Sequence, residues 1–149
     1  MKILHPTDFS ECAAQAEAMA VDLARKLDGE LVLFQVLVET PLYAEGPLNM
    51  GAVQRVYDAQ RKWSEETLEA RAGDLRQRGI KASWRLEAGV PFEEIVKVAD
   101  DERADMIVMG THGRSGLNRV LLGSVAERVI RLAPCPVLTV RQTEPGGSR

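Results

Sequence analysis

From residue 110 to residue 125 the chain reads GTHGRSGLNRVLLGSV, a stretch with the makings of an anion site. Gly110, Gly113, Gly116 and Gly123 carry no Cβ to screen backbone N–H groups from a ligand, and glycine at Gly110 and Gly113 would permit positive φ. Around them His112, Arg114, Ser115 and Ser124 offer a ring nitrogen, a guanidinium and two hydroxyls. Gly123 and Ser124 open an apolar-periodic segment, where the first N–H groups of a helix lack internal partners and the positive end of its dipole favours an anion. The dipole contributes only about 0.3–1 kcal/mol per exposed charge, so several donors must act together. The chemistry on offer is a phosphate cradle built without lysine.

Plainer roles compete for the same residues. Ser124 with Glu127, and Asp8 with Glu11, have capping-box spacing, so either pair could simply start a helix. His112 reads as a loop side chain beside the pocket, since no serine, cysteine or carboxylate is placed by sequence to work with it. His5 reads as a hydrogen-bonded core or pocket-wall residue, and Arg128 and Arg131 as solvated helix positions. Familiar phosphate loops are absent: there is no G-x-x-x-x-G-K-[ST], and PTDFSE stands where a dinucleotide fingerprint would follow the first strand. A phosphotransfer receiver would place an acceptor aspartate after the third strand, where Glu87 and Gly89 stand instead. Nor is there a G-x-S-x-G nucleophile elbow.

The chain that must position these residues has an ordinary globular composition. Its 149 residues suffice for one domain with a core that needs no staples, and 45% hydrophobic with 28% charged residues argues against disorder. No apolar run approaches the roughly 20 residues of a spanning helix. Met1 is followed by no signal-peptide pattern, so the expectation is a cytoplasmic protein without a membrane partner. A net charge of -3 and a pI near 5.5 argue against general nucleic-acid binding. Cys12 and Cys135 lie outside any metal or redox spacing and read as buried small apolar residues.

Apolar periodicity then orders the elements. KILH (residues 2–5) reads as a strand, and Cys12, Ala16, Met19, Ala20, Leu23 and Leu27 as a helical stripe that Gly29 ends. ELVLFQVLV (residues 30–38) is apolar enough for an interior parallel strand. Residues 39–51 lack a period and are long for a connection, as binding loops often are. A charged helix over residues 53–78 carries Val56, Trp63, Leu68, Ala72 and Leu75 as its buried stripe. Residues 80–88 alternate cleanly, which suits an edge strand with Lys81, Ser83, Arg85 and Glu87 toward water. A helix follows with Phe92, Ile95, Val96 and Ala99 inward, then a buried strand at residues 105–109. Leu122, Val125, Ala126 and Val129 mark a last helix ending before Pro134, and VLTV, Val137–Val140, a last strand. Residues 142–149 read as a tail beyond one domain spanning 1–141.

Strand and helix alternate throughout, which predicts a Rossmann-like three-layer α/β/α sandwich around a five-stranded parallel sheet. The order 3-2-1-4-5 puts the alternating third strand at one edge and the apolar second, first and fourth inside. Ligands of such sheets bind beyond the strands that flank the reversal of order, here the first and fourth. Those strands end at Pro6-Thr7-Asp8 and Met109-Gly110, so the glycine-rich stretch begins at a topological crevice.

With Gly110, Gly113, Gly123 and Ser124, the stretch matches G-x-x-G, nine residues, G-[ST], and so resembles the nucleotide-binding signature of the universal stress protein family. ILHPTDFS, GVPFEEIVKVADDERADMIVMG and SVAERVIRLAPCPVLTVR extend the resemblance over nearly the whole chain. The resemblance implies an adenine-nucleotide site of the adenine nucleotide alpha hydrolase-like fold, with ATP as ligand and magnesium as a candidate companion of its phosphates, although no carboxylate cage is evident. It places Pro6, Thr7 and Asp8 beside the adenosine, Val36 at the adenine edge and Met109 along the base. Gly110, His112, Gly113, Arg114, Ser115, Gly116, Gly123, Ser124 and Val125 would surround the ribose and phosphates. His5 departs from the small apolar residue usual there. The implied function is a non-catalytic stress-response regulator or sensor, a homodimer through Val137–Val140. The alternatives are a slow ATPase or self-phosphorylating enzyme on the same pocket, with Asp8 or His112 as base, and a nucleotide-independent interaction module, against which the intact signature weighs.

Overall fold

The computed structural model describes residues 1–38, 50–112 and 122–141. Along the chain run β1 (Lys2–Pro6), α1 (Glu11–Lys26), β2 (Glu30–Leu37), α2 (Met50–Gln77), β3 (Lys81–Ala88), α3 (Pro91–Asp101), β4 (Met106–Gly110), α4 (Ser124–Leu132) and β5 (Val137–Val140). The strands form one parallel sheet in the expected order, β3-β2-β1-β4-β5. Alternation along the strands divides the core into two layers. Ile3, Leu31, Leu33 and Val108 face α1 and α2, while Leu4, Val32, Phe34 and Ile107 face α3 and α4. β2 is buried along nearly its whole length, as an apolar run covered on both faces must be.

The helices sit on the sheet by faces that periodicity only partly identified. On α1 the small residues Ala13, Ala16, Ala20 and Ala24 are buried, and Met19 and Leu27, expected inward, are exposed. Alanines let the helix axis come close to the sheet; Cys12, Ala16 and Ala20 of the expected stripe are buried and Leu23 packs against the core, while Met19 and Leu27 are turned aside. On α2 Ser64, Leu68, Ala72 and Leu75 are buried, but Val56 and Trp63 are exposed. The helix has 28 residues and would be about 42 Å long, against about 26 Å for the 8 residues of β3, so its first half overhangs the sheet. It begins at Met50, inside the segment expected to be a loop, and the rest of that segment lies outside the described residues. It ends as expected near Gly79, whose φ of +81° lets Ile80 N donate to Leu75 O and Gly79 N to Arg76 O, both at 3.0 Å.

Smaller corrections follow the same logic. Val98 takes the buried position on α3 assigned to Val96, and Leu122 is exposed and precedes α4. Cys12 is buried, but Cys135 only half so. Arg128 is more than a solvated position, since its guanidinium lies 4.7 Å from the centre of the Phe92 ring. The polar face of β3 is likewise paired: Arg85 reaches Glu87 at 2.7 Å and Glu102 at 3.1 Å, and Lys2 reaches Glu102 at 2.9 Å.

Candidate functional site

β1 and β4 lie side by side at the point where the sheet order reverses, and a cavity of about 490 Å³ opens beyond their carboxyl ends. That is a common size for a small-molecule site. The predicted residues Pro6, Thr7 and Asp8 line it from the end of β1 and the turn after it, Val36 from β2, and Met109, Gly110 and His112 from β4 and its continuation. Gly123, Ser124 and Val125 line it from the start of α4. The remaining predicted residues, Gly113, Arg114, Ser115 and Gly116, lie outside the described residues.

The walls differ in character. Phe34, Val36, Ile95 and Met109 make one side apolar. Beside them lies the α4 N-terminus, whose cap residue is Gly123 with no side-chain hydrogen bond to the first turn. Ser124 is therefore the first helical residue, not a capping serine, and the first residues of α4 line the cavity with no side-chain cap from Gly123. The Asp8–Glu11 pair also fails as a cap: α1 is capped by Ser10, whose Oγ accepts from Ala13 N at 3.2 Å. An apolar slot beside open helix donors suits a flat, weakly polar ring that carries an anionic tail.

Glycine has a different task here from the one expected. Gly110 does not adopt positive φ; it lies in β4, and a Cβ on it would stand 2.8 Å from Cys12 Sγ. A Cβ on Gly123 would stand 2.9 Å from the carbonyl oxygen of Thr111, to which Gly123 N donates at 2.8 Å. Both glycines let a helix start press against the β4 end, and that contact gives the crevice its shape.

Two histidines and a strained turn complete the surroundings. Thr111 Oγ1 and His112 Nδ1 are joined at 2.9 Å, and His112 Nε2 is buried without a hydrogen-bond partner among the described residues. His5 is fully buried and does not line the cavity; its Nδ1–H donates to Val108 O at 2.8 Å, bridging β1 to β4. Burial pushes its pKa down, against the opposing pull of the Val108 carbonyl, so the ring is neutral. Between Asp8 and α1, Phe9 has φ +59°, a conformation that costs a bulky residue on the order of 1–3 kcal/mol. Sequence reasoning missed Phe34 and Ile95, which read simply as core, and Thr111, which stands inside the quoted stretch. It also missed Gln60, brought to the cavity only because α2 passes beside it.

The profile described as the universal stress protein family matches residues 1–141. Universal stress protein MJ0531 of Methanocaldococcus jannaschii is 38% identical over 141 residues, which cover 95% of this chain and 82% of that protein. The solved structure of MJ0577 from the same organism superposes with a TM-score of 0.84 at 34% identity over 96% of each chain. A universal stress protein from Archaeoglobus fulgidus, solved in complex with dAMP, shares the fold at a TM-score of 0.65 and 23% identity, over 95% of this chain and 98% of that one. With the expected sheet order, the crevice at its reversal and relatives matched along nearly their whole length, the chain belongs to the universal stress protein family.

Proposed function

We propose that this protein binds ATP in the crevice between β1 and β4 and acts as a stress-response regulatory module rather than a strong catalyst. The observation that carries the reading is one cavity lined both by an apolar group of side chains and by an open helix N-terminus. Adenine packs between Phe34, Val36, Ile95 and Met109, with Pro6, Thr7 and Asp8 beside the ribose. The phosphates turn toward the N–H groups of Ser124 and Val125 beside Gly123, joined by His112 and by Gly113, Arg114, Ser115 and Gly116. Magnesium accompanies the phosphates. The working unit is a single domain over residues 1–141, paired with a second copy through β5, in the cytoplasm.

One observation favours slow hydrolysis as a second reading: the His112 imidazole, held by Thr111 Oγ1 at 2.9 Å, lines the cavity, where such a ring can serve as a general base. Calorimetry of nucleotide-stripped protein with ATP tests the main reading. Saturable binding is expected, weakened at least about tenfold by Gly123→Glu, whose Cβ crowds the Thr111 carbonyl and whose carboxylate repels the phosphates, a change of about 1.4 kcal/mol. Absence of binding to the unaltered protein would end the proposal. Phosphate release that exceeds the Gly123→Glu control and disappears in His112→Ala would move the conclusion to the second reading.

A further inference from the structure

The turn from β1 into α1 holds its bulkiest residue in the backbone region that suits it least. At φ +59° the Cβ of Phe9 crowds the neighbouring carbonyl, and glycine or asparagine would occupy that position at lower cost. Hydrogen bonds within the turn are local: Phe9 N donates to Thr7 Oγ1 at 3.1 Å and Ser10 N to Asp8 Oδ1 at 3.0 Å. Neither requires an aromatic ring at position 9.

The ring is held from outside the turn, by α2. Trp63 meets it edge to face, with centroids 5.4 Å apart and planes at 87°. Two turns further along the same helix, the Arg71 guanidinium lies 5.3 Å from the ring centroid. Arg71 is fixed in turn by Glu17 of α1 at 2.7 Å. Phe9 therefore ties both helices of one layer to the turn, and the two residues before it, Thr7 and Asp8, line the cavity. This also accounts for Trp63, which is 49% exposed and adds little to the core. Its partner is the ring of Phe9.

We infer that Phe9 is a positioning residue of the ligand site: α2, through Trp63 and Arg71, holds the ring, and the ring holds Thr7 and Asp8 at the crevice. The inference rests on the nucleotide reading above and deepens it. Without the grip the turn samples other backbone conformations, only a fraction of molecules presents Thr7 and Asp8 correctly, and the apparent affinity falls by that fraction.

The experiment compares ATP affinity by calorimetry with thermal stability in the full-length chain. Phe9→Gly accepts positive φ without strain but has no ring for α2 to hold, so ATP should bind about three- to tenfold more weakly, beyond any fall in melting temperature from lost packing against the core. Arg71→Ala leaves the Phe9 backbone strain in place and loosens the grip, and should weaken ATP to a similar extent; Arg71→Lys, which keeps the cation, should recover most of the loss. A role in packing alone would instead lower the melting temperature and leave the affinity unchanged. Saturable ATP binding to the unaltered protein that both Phe9→Gly and Arg71→Ala match would overturn this inference and leave the nucleotide reading standing. No saturable binding to the unaltered protein would remove both.

Discussion

His5 joins the two strand ends that flank the crevice, and its chemistry is that of a buried neutral ring. Nδ1–H is committed to Val108 O, Nε2 has no partner among the described residues, and Glu17, Arg71 and Asp8 are the charged groups that act on it. Because burial keeps the folded pKa below the ordinary value of about 6.5, the unfolded chain binds more protons than the folded one beneath that pH. The contribution is whole above about pH 6.5 and shrinks as pH falls toward the depressed folded value, by up to about 1.4 kcal/mol per pH unit. His5→Asn retains a donor for Val108 O and does not titrate. Urea denaturation at about pH 7.5 and about pH 5.5 should show a larger acid loss for the unaltered protein than for His5→Asn; equal losses would contradict this account. That His5 is internal could be read from its place at the end of an apolar strand, whereas its bond to β4 depended on a neighbour more than a hundred residues away. The glycines were legible as important for a partly wrong reason: what Gly110 and Gly123 avoid are Cys12 Sγ and the Thr111 carbonyl, neither of which local sequence brings near.

At the scale of elements, β3 is the case in which alternation was read well and its environment was not. Ala82, Trp84 and Leu86 pack against the core as the pattern required, while Arg85 joins Glu102 and Lys2 in a network linking β3, the end of α3 and β1. The hydrogen bond from Lys2, opposed by partial burial and aided by Arg85, holds the Glu102 carboxyl below its ordinary pKa. A depressed carboxylate pKa means stability that is present at neutral pH and lost as pH falls below about 4.5 through the folded value. Partial exposure limits its size, so Glu102→Gln should cost about 0.5–1 kcal/mol at neutral pH and almost nothing near pH 2. Denaturant titrations at the two pH values check this, and a cost that persists in acid would rule out the ion pairs as its source. The helices teach a related point. Their existence followed from periodicity, but the buried face of α1 was decided by which side chains are small, and that of α2 by how far the helix outruns the sheet.

For the whole molecule the open question is what covers β5. β3 at the other edge carries Lys81, Arg85 and Glu87, the charges that discourage pairing between chains, whereas VLTV carries none. Leu138 on that strand, and Ile130 and Leu132 on the helix before it, are exposed. Pairing of two copies through β5 would cover this edge. Sedimentation equilibrium should then find a dimer that Leu138→Lys converts largely to monomer; a monomeric parent, or a dimer indifferent to the change, would refute the pairing. The sequence by itself determined the order of elements, the sheet topology and the two chain segments that meet at the crevice, because each follows from local periodicity and the handedness of parallel crossovers. The G-x-x-G, nine-residue, G-[ST] spacing added the family. Only the tertiary structure decided which helix faces are buried, what the missing Cβ atoms make room for, and that α2 reaches back to grip Phe9. Those outcomes depend on side chains distant in sequence competing for the same space, and no local pattern records that competition.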